Sequence, residues 1–360
     1  MVLIAALLSL SLQASQPVSL GKDLEAIRVK YNLPSICAGA VVDGKVVELD
    51  AVGVRRMGSE EAVTVNDRYH WGSITKSFTA ALVADFVQQG KIRWDETLPE
   101  LFPEIADQID PALQPATVLM LMSHRAGLSS ESFAGTREKG SLMDQRWQYT
   151  KNALSQKPAD KPATKFTYSN RDYVILGCAL ERIAHKPWEQ IMREELLGPL
   201  GMTTAGFGAP GWDTHTSEPW GHLVQGGKLT PVPIGPNADN PPMLGPAGTL
   251  HMSVPDMLKW VTFNAQEGVR GGILEPQAFK ILHSAAFDGT YGGGWVCLKR
   301  DWAGGPVLYH NGSNTMNYAV LWVAPEKKFG VAVAINAYSP DVSKATDAVA
   351  TLLIAKYCPR

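Results

Sequence analysis

The stretch Gly72-Ser73-Ile74-Thr75-Lys76-Ser77-Phe78-Thr79 constrains this chain more than any other. A glycine precedes an apolar run in which Ile74, Phe78, Leu82 and Phe86 recur every four residues, with Val83 and Val87 beside them. That spacing predicts a helix packed in a core and starting near Ser73. Ser73 then lies in the first turn, and Lys76 leaves the helix on the same face. A hydroxyl next to an amine, at the positive end of a helix dipole, is one way to make an activated nucleophile. The pattern occurs twice, the other copy being Ser19 to Lys22 in a Pro- and Gly-containing lead-in with no apolar stripe after it. Either copy alone reads better as a solvated helix start, and only context favours Ser73.

The totals narrow the remaining choices. A chain of 360 residues has room for two domains, or for one large domain with an insertion. Charged residues make up 19% of it, below the usual share of about 25%, which argues against disorder. The net charge is -2 and the pI is near 6.5, so there is no basic excess to support nucleic-acid binding. Residues 2–12 form an apolar run too short to span a bilayer and placed like the core of a signal peptide, although no positive residue precedes it and Leu12 suits a cleavage site poorly. The expectation is a signal peptide over residues 1–15, a periplasmic or secreted protein and no stable membrane span. The other reading is a buried or trimmed N-terminal segment. Cys37, Cys178, Cys297 and Cys358 are too dispersed for a disulfide framework or a metal site. The first three lie in apolar runs and read as buried free thiols, although export would permit a disulfide.

Taken in order, residues 18–31 look helical. Residues 36–42 and 46–52 flank Asp43-Gly44-Lys45, a strong hairpin signal. The Ser73 helix follows and ends around Gly90. From about 95 to 245 the pattern shows helical runs and long loops with no clear strand pair. Candidate helices are 118–122, 172–184 and 188–197, separated by Pro- and Gly-rich connections at 157–162, 206–211 and 231–246. A short helix at 254–265 leads to β-rich runs at 293–299, 307–310, 318–323 and 329–335, and the last run, 342–357, is apolar at helical spacing. Strands at both ends with helices between them predict an α/β (α+β) architecture. In it an antiparallel sheet is formed from both chain ends (16–94 plus 246–360) and flanked by helices, with an inserted mostly helical domain over 95–245. The seam between the two is the default place for a site.

Further residues carry possible chemistry. Tyr168-Ser169-Asn170 lies just before an apolar helix. A phenol and an amide two residues apart in an extended loop point the same way, towards proton transfer and the holding of a substrate amide. The competing reading is a helix cap by Ser169 or Asn170 with Tyr168 packed. His310-Asn311-Gly312-Ser313 ends a strand, where a glycine lets a ligand approach the backbone and the next N–H can serve an oxyanion hole. The competing reading is an ordinary strand exit. His124 reads as a structural histidine between helices. His70, His215, His222, His251 and His283 lack metal-ligand spacing, and Gly-x-Ser-x-Gly, GxGxxG and phosphate-loop patterns are absent.

In this order, Ser73-x-x-Lys76, Tyr168-x-Asn170 and His310-x-Gly312 resemble the three motifs of the serine β-lactamase and penicillin-binding protein family, which comprises class C β-lactamases, DD-peptidases and related esterases. Leu121–Leu128, Pro199-Leu200-Gly201-Met202, Pro246-Ala247-Gly248 and Tyr318 through Asn336 also look like this family's connecting stretches, so the resemblance covers roughly residues 20 to 357. It implies a serine hydrolase working through an acyl-enzyme on Ser73, with Lys76 and Tyr168 shuttling protons. It implies that Asn170, His310, Asn311 and Gly312 bind substrate and that the N–H groups of Ser73 and Ser313 form the oxyanion hole. No metal or cofactor is implied. The substrate would be a β-lactam, a D-Ala-D-Ala peptide or a small ester. Two departures stand out: His310 replaces the lysine usual in class C β-lactamases, and Ser169 replaces their usual alanine. Both look more like the DD-peptidases and esterases. A non-catalytic penicillin-binding or peptidoglycan-recognition module is the rival from another class.

Overall fold

The computed structural model describes residues 20–130, 139–212, 214, 217–268, 272–287 and 289–360. The expected signal peptide and Ser19 lie outside them. A helix α1 (Leu20–Lys30) leads into a hairpin of β1 (Ser35–Val42) and β2 (Lys45–Gly53), and β3 (Arg68–His70) precedes the nucleophile stretch. A single 3-10 turn, Gly72–Ile74, then opens α2 (Thr75–Gln88). Next come α3 (Leu98–Leu101), α4 (Val118–Met122), α5 (Leu142–Leu154), α6 (Asn170–Ala184) and α7 (Trp188–Met192). Three short strands follow: β4 (Gly206–Phe207), β5 (His222–Gln225) and β6 (Lys228–Pro231). The chain continues through α8 (Gly245–Gly248), β7 (Leu250–Ser253), α9 (Val254–Ala265) and α10 (Pro276–Leu282). It closes with β8 (Val296–Lys299), β9 (Pro306–Ser313), β10 (Tyr318–Ala324), β11 (Phe329–Ile335) and α11 (Val342–Tyr357).

A six-stranded antiparallel sheet in the order β2-β1-β11-β10-β9-β8 draws its strands from both parts of the chain. Its central strand β11 is apolar and buried throughout, as expected of a strand covered on both faces. Alternation divides its side chains between two cores. Phe329, Val331, Val333 and Ile335 join Leu24 of α1 and Val349 and Leu353 of α11. Ala332 and Ala334 join Phe78 of α2 and Leu258 of α9. The small residues on the second face let α9 lie close: a Cβ at Gly330 would fall 2.4 Å from the Val261 side chain.

Helix α2 is buried on every side from Thr75 to Phe86, not only along the apolar stripe. A helix enclosed in this way is central to its fold. Phe78 stacks on Trp260 at 4.0 Å between ring centroids, and Trp260 Nε1 donates to Ser77 Oγ at 3.0 Å.

Several details differ from the sequence expectation. Between 95 and 245 there is a strand pair, β5–β6, joined by Gly226 and Gly227 at φ 56° and 78°. Its strands have four residues each and mixed polarity, which gives too short a period to stand out within a loop-like stretch. A further small sheet, β3-β7-β4, was equally invisible because β4 has two residues. Residues 193–197 continue α7 as a π-helical turn. Strand β8 begins at Val296, because Gly294 at φ 75° turns the chain where a Cβ would strike Ser77. All four cysteines are free.

Candidate active site

The stretch around Ser73 is shaped by close backbone contact. Gly72 takes φ 49°, and a Cβ there would lie 2.2 Å from the Ser313 amide nitrogen. A Cβ at Gly312 would lie 1.9 Å from the Trp71 carbonyl and 3.0 Å from the Ser73 amide nitrogen. Both glycines are therefore needed for the backbones of β9 and the 3-10 turn to touch. The missing Gly312 side chain thus makes room for the Ser73 turn. The regular helix starts at Thr75, so Ser73 sits in the preceding turn, half-buried, while Lys76 lies inside α2.

Lys76 is the geometric centre of the motifs. Its Nζ donates to Asn170 Oδ1 at 2.7 Å and to the Ala247 carbonyl at 2.7 Å, and lies 3.0 Å from Ser73 Oγ. It also sits 4.9 Å from the centre of the Tyr168 ring. The side chain is fully buried, and this desolvation pushes the amine down to about 7, against the opposing pull of the Asp172 charge. Tyr168 keeps 36% of its surface exposed, yet burial of its surroundings still pushes the phenol up, with a hydrogen bond to Ser73 pulling the other way. Tyr168 is accordingly a neutral phenol at physiological pH. Ser169 caps α6 by accepting from the Arg171 N–H at 3.2 Å, so the cap and the converging Tyr168 and Asn170 coexist in one loop.

On β9 the strand alternation separates the third motif. His310 is buried near Tyr168, with ring centroids 6.4 Å apart. Asn311 Nδ2 instead donates to Tyr318 at 3.0 Å, and Tyr318 belongs to the core on the other face of the sheet. The Asn311 side chain is thus directed away from Lys76 and does not join the cluster. Both His310 nitrogens are engaged: Nδ1 donates to the Asn311 carbonyl at 2.6 Å, and Nε2 accepts from the Tyr291 hydroxyl at 2.9 Å. Burial, reinforced by the Lys76 charge, pushes His310 down to about 3. It is neutral at any ordinary pH.

Sequence reasoning missed Tyr291, whose signal was only a tyrosine in a glycine-rich run, and the Ala247 carbonyl, which carries no side-chain signal. It also missed Asp172. Asp172 Oδ2 lies 2.6 Å from His124 Nδ1, and the same nitrogen lies 3.3 Å from the Ser169 N–H. Burial lowers His124 and raises Asp172, which favours the uncharged form of each. The His124 ring packs 4.5 Å from Tyr168 and 4.8 Å from Tyr291, so this buried pair supports the Tyr168 loop from behind. His222 bonds the Asn336 carbonyl and the Met57 N–H. Among the described residues no group of acidic, histidine or cysteine side chains has the arrangement of a metal site, and no helix is long and apolar enough to cross a membrane.

A mixed fold of antiparallel sheet and helices that brings a serine, a buried lysine amine, a tyrosine and a glycine-bearing strand end to one seam has the layout of the β-lactamase and penicillin-binding protein fold. The chain belongs to the β-lactamase family, whose profile, described as Beta-lactamase, matches residues 20–356. It is 25% identical over 325 residues to penicillin-binding protein 4 of Amycolatopsis lactamdurans, covering 87% of this chain and 83% of that protein. It is 21% identical to protein flp of Staphylococcus aureus (strain MW2), covering 90% of this chain and 64% of that protein. Its fold superposes on a class C β-lactamase with a TM-score of 0.78 at 20% identity, covering 95% of this chain and 96% of the other. It also superposes on the octameric penicillin-binding protein homologue from Pyrococcus abyssi with a TM-score of 0.77 at 24% identity, covering 94% and 78%. The family is typically one of serine hydrolases.

The lowered Lys76 has a measurable consequence for stability. An unfolded chain holds this proton up to the ordinary value of 10.5, whereas the folded protein releases it near 7. Between those limits the unfolded state binds more protons, so the contribution of Lys76 to stability rises with pH and is lost as pH falls through 7. Urea unfolding of wild type minus Lys76→Met should show an added positive slope in that window, up to about 1.4 kcal/mol per pH unit. Parallel curves for the two proteins would mean that the amine is not depressed.

Proposed function

We propose that the protein is a serine hydrolase that forms an acyl-enzyme on Ser73 and favours uncharged acyl donors such as small carboxylic esters. The observation that carries this reading is the bonding of Lys76. A neutral amine has two N–H donors and one lone pair. The Asn170 and Ala247 oxygens take both donors, which leaves the lone pair for the Ser73 hydroxyl. Ser73 Oγ attacks the acyl carbonyl while its proton passes to Lys76 Nζ. The oxyanion is held by the N–H groups of Ser73 and Ser313, which the glycine contact brings side by side. Collapse breaks the bond to the leaving oxygen, which takes the proton back from Lys76, with the neutral Tyr168 hydroxyl as relay. Water then repeats the sequence on the Ser73 ester and frees the acid.

The lean towards uncharged donors rests on His310. A protonated lysine there would attract a substrate carboxylate. His310 is neutral and both its nitrogens are occupied, so it offers no such charge. A second reading, turnover of a β-lactam or a D-Ala-D-Ala peptide, is favoured by the penicillin-binding name of the Amycolatopsis relative. A purely binding module is disfavoured, because it has no use for a desolvated amine aimed at a hydroxyl.

A fluorophosphonate should add to Ser73 and to no other residue, as read by mass spectrometry of peptides, and Ser73→Ala should take no label. An adduct elsewhere would sink the assignment. At pH 7.5 a neutral p-nitrophenyl ester should be hydrolysed at least as well as benzylpenicillin. His310→Lys should move that ratio towards the penicillin by roughly fivefold, the equivalent of about 1 kcal/mol for a solvated charge pair. A ratio that stays put would remove the basis for the ester preference.

A further inference from the structure

Two amides from distant parts of the chain have to converge on one oxygen for the proposed chemistry, and no ladder of strand hydrogen bonds joins them. Strand β3, which leads into Ser73, pairs with β7, whereas β9, which ends at Ser313, pairs with β8 and β10. A chain of buried side chains spans this gap. His70 Nδ1 accepts the Gly72 N–H at 3.0 Å, so that nitrogen carries no proton and Nε2 must carry one. His70 Nε2 lies 2.7 Å from Asp239 Oδ1, with the two side chains 0% and 5% exposed, in an off-axis polar contact and not an aligned hydrogen bond. The same oxygen accepts Asn314 Nδ2 at 2.9 Å. The orientation of Asn314 is set by its other partners. Its Oδ1 accepts from the Met316 N–H at 3.2 Å, the Asn317 N–H at 3.0 Å and Asn317 Nδ2 at 3.1 Å.

We propose that His70, Asp239 and Asn314 are positioning residues that set the spacing of the two oxyanion-hole amides. The chain begins at the N–H of the residue before Ser73 and ends on the residue after Ser313. Direct contact between Gly72 and the Ser313 amide closes it into a ring. Contact alone limits how closely the two backbones approach. The side-chain ring also fixes how far one slides past the other, because its Gly72–His70 and Asn314–Asp239 hydrogen bonds weaken steeply once distance or angle is lost, and the His70–Asp239 contact between them is held at close range. Asp239 is the hub: it lies in the loop between β6 and α8, a third segment that neither glycine motif touches. The arrangement is independent of Lys76 and acts on transition-state geometry, not on proton transfer.

This inference rests on the acyl-transfer reading, and its test separates the two. Wild type, Asp239→Ala, Asn314→Ala and the double variant are checked for folding by circular dichroism and labelled to completion with a fluorophosphonate. Absence of label on wild-type Ser73 would defeat the acyl-transfer reading itself. With label present, each single variant should lose about ten- to a hundredfold in kcat on a p-nitrophenyl ester with little change in KM. This is less than the ~10²–10³-fold cost of deleting a whole oxyanion donor, because the donors are displaced and not removed. Affinity for phenylboronic acid, whose serine adduct mimics the tetrahedral state, should fall by the same factor as kcat/KM. Because both residues act through one ring, the double variant should be no worse than the weaker single. Unchanged boronate affinity in either folded, labelled variant, or single effects that multiply in the double, would overturn the proposal. Should Asp239→Ala not fold, Asn314→Ala alone decides through its boronate affinity.

Discussion

The site depends on the burial of one amine. Lys76 points from the interior of α2 into a space closed by α6, α8 and the Tyr168 loop, and water does not reach it. Its two carbonyl-type partners satisfy N–H donors without supplying a full negative charge. Asp172 is close enough to pull the amine upward but does not bond it, and desolvation prevails. A carboxylate in direct contact would have held the lysine charged. The same residue in solution would stay protonated far above neutrality.

Burial drives the groups around that amine towards their uncharged forms. Tyr168 is a neutral phenol, His310 a neutral imidazole bonded to Tyr291, and His124 and Asp172 are each driven towards their neutral forms. Burial is the leading cause in every case. The Lys76 amine thus titrates near neutral pH in a low-dielectric setting, the kind of environment in which oriented N–H groups act most strongly on a developing oxyanion.

Local patterns made much of this legible in the sequence. The period of α2, the Asp43-Gly44 hairpin and the apolar run of β11 each carry their structure within a few residues, and all are present as read. The three motifs converge as the family resemblance implied for Ser73, Lys76, Tyr168 and Asn170. What stayed hidden is non-local. Ala247 meets Lys76 through a backbone carbonyl across 171 positions. Asp239 meets His70 only because a loop folds over β3, and Tyr291 reaches His310 from a glycine-rich bend. The direction of the Asn311 side chain has a simpler origin: adjacent strand residues face opposite ways, so a three-residue motif cannot present every side chain to one side of the sheet. Gly312 is a close-approach position, and in the folded chain it is the Trp71–Ser73 backbone that lies against it.

The most direct test of the role given to Lys76 is the pH dependence of the acylation rate, followed by stopped flow with a fluorophosphonate or an activated ester. If the buried amine accepts the serine proton, the rate should rise with pH through an inflection at about 7 and level off above it. A rate that is flat across this range, or one that keeps climbing to an inflection near the ordinary lysine value, would contradict the account.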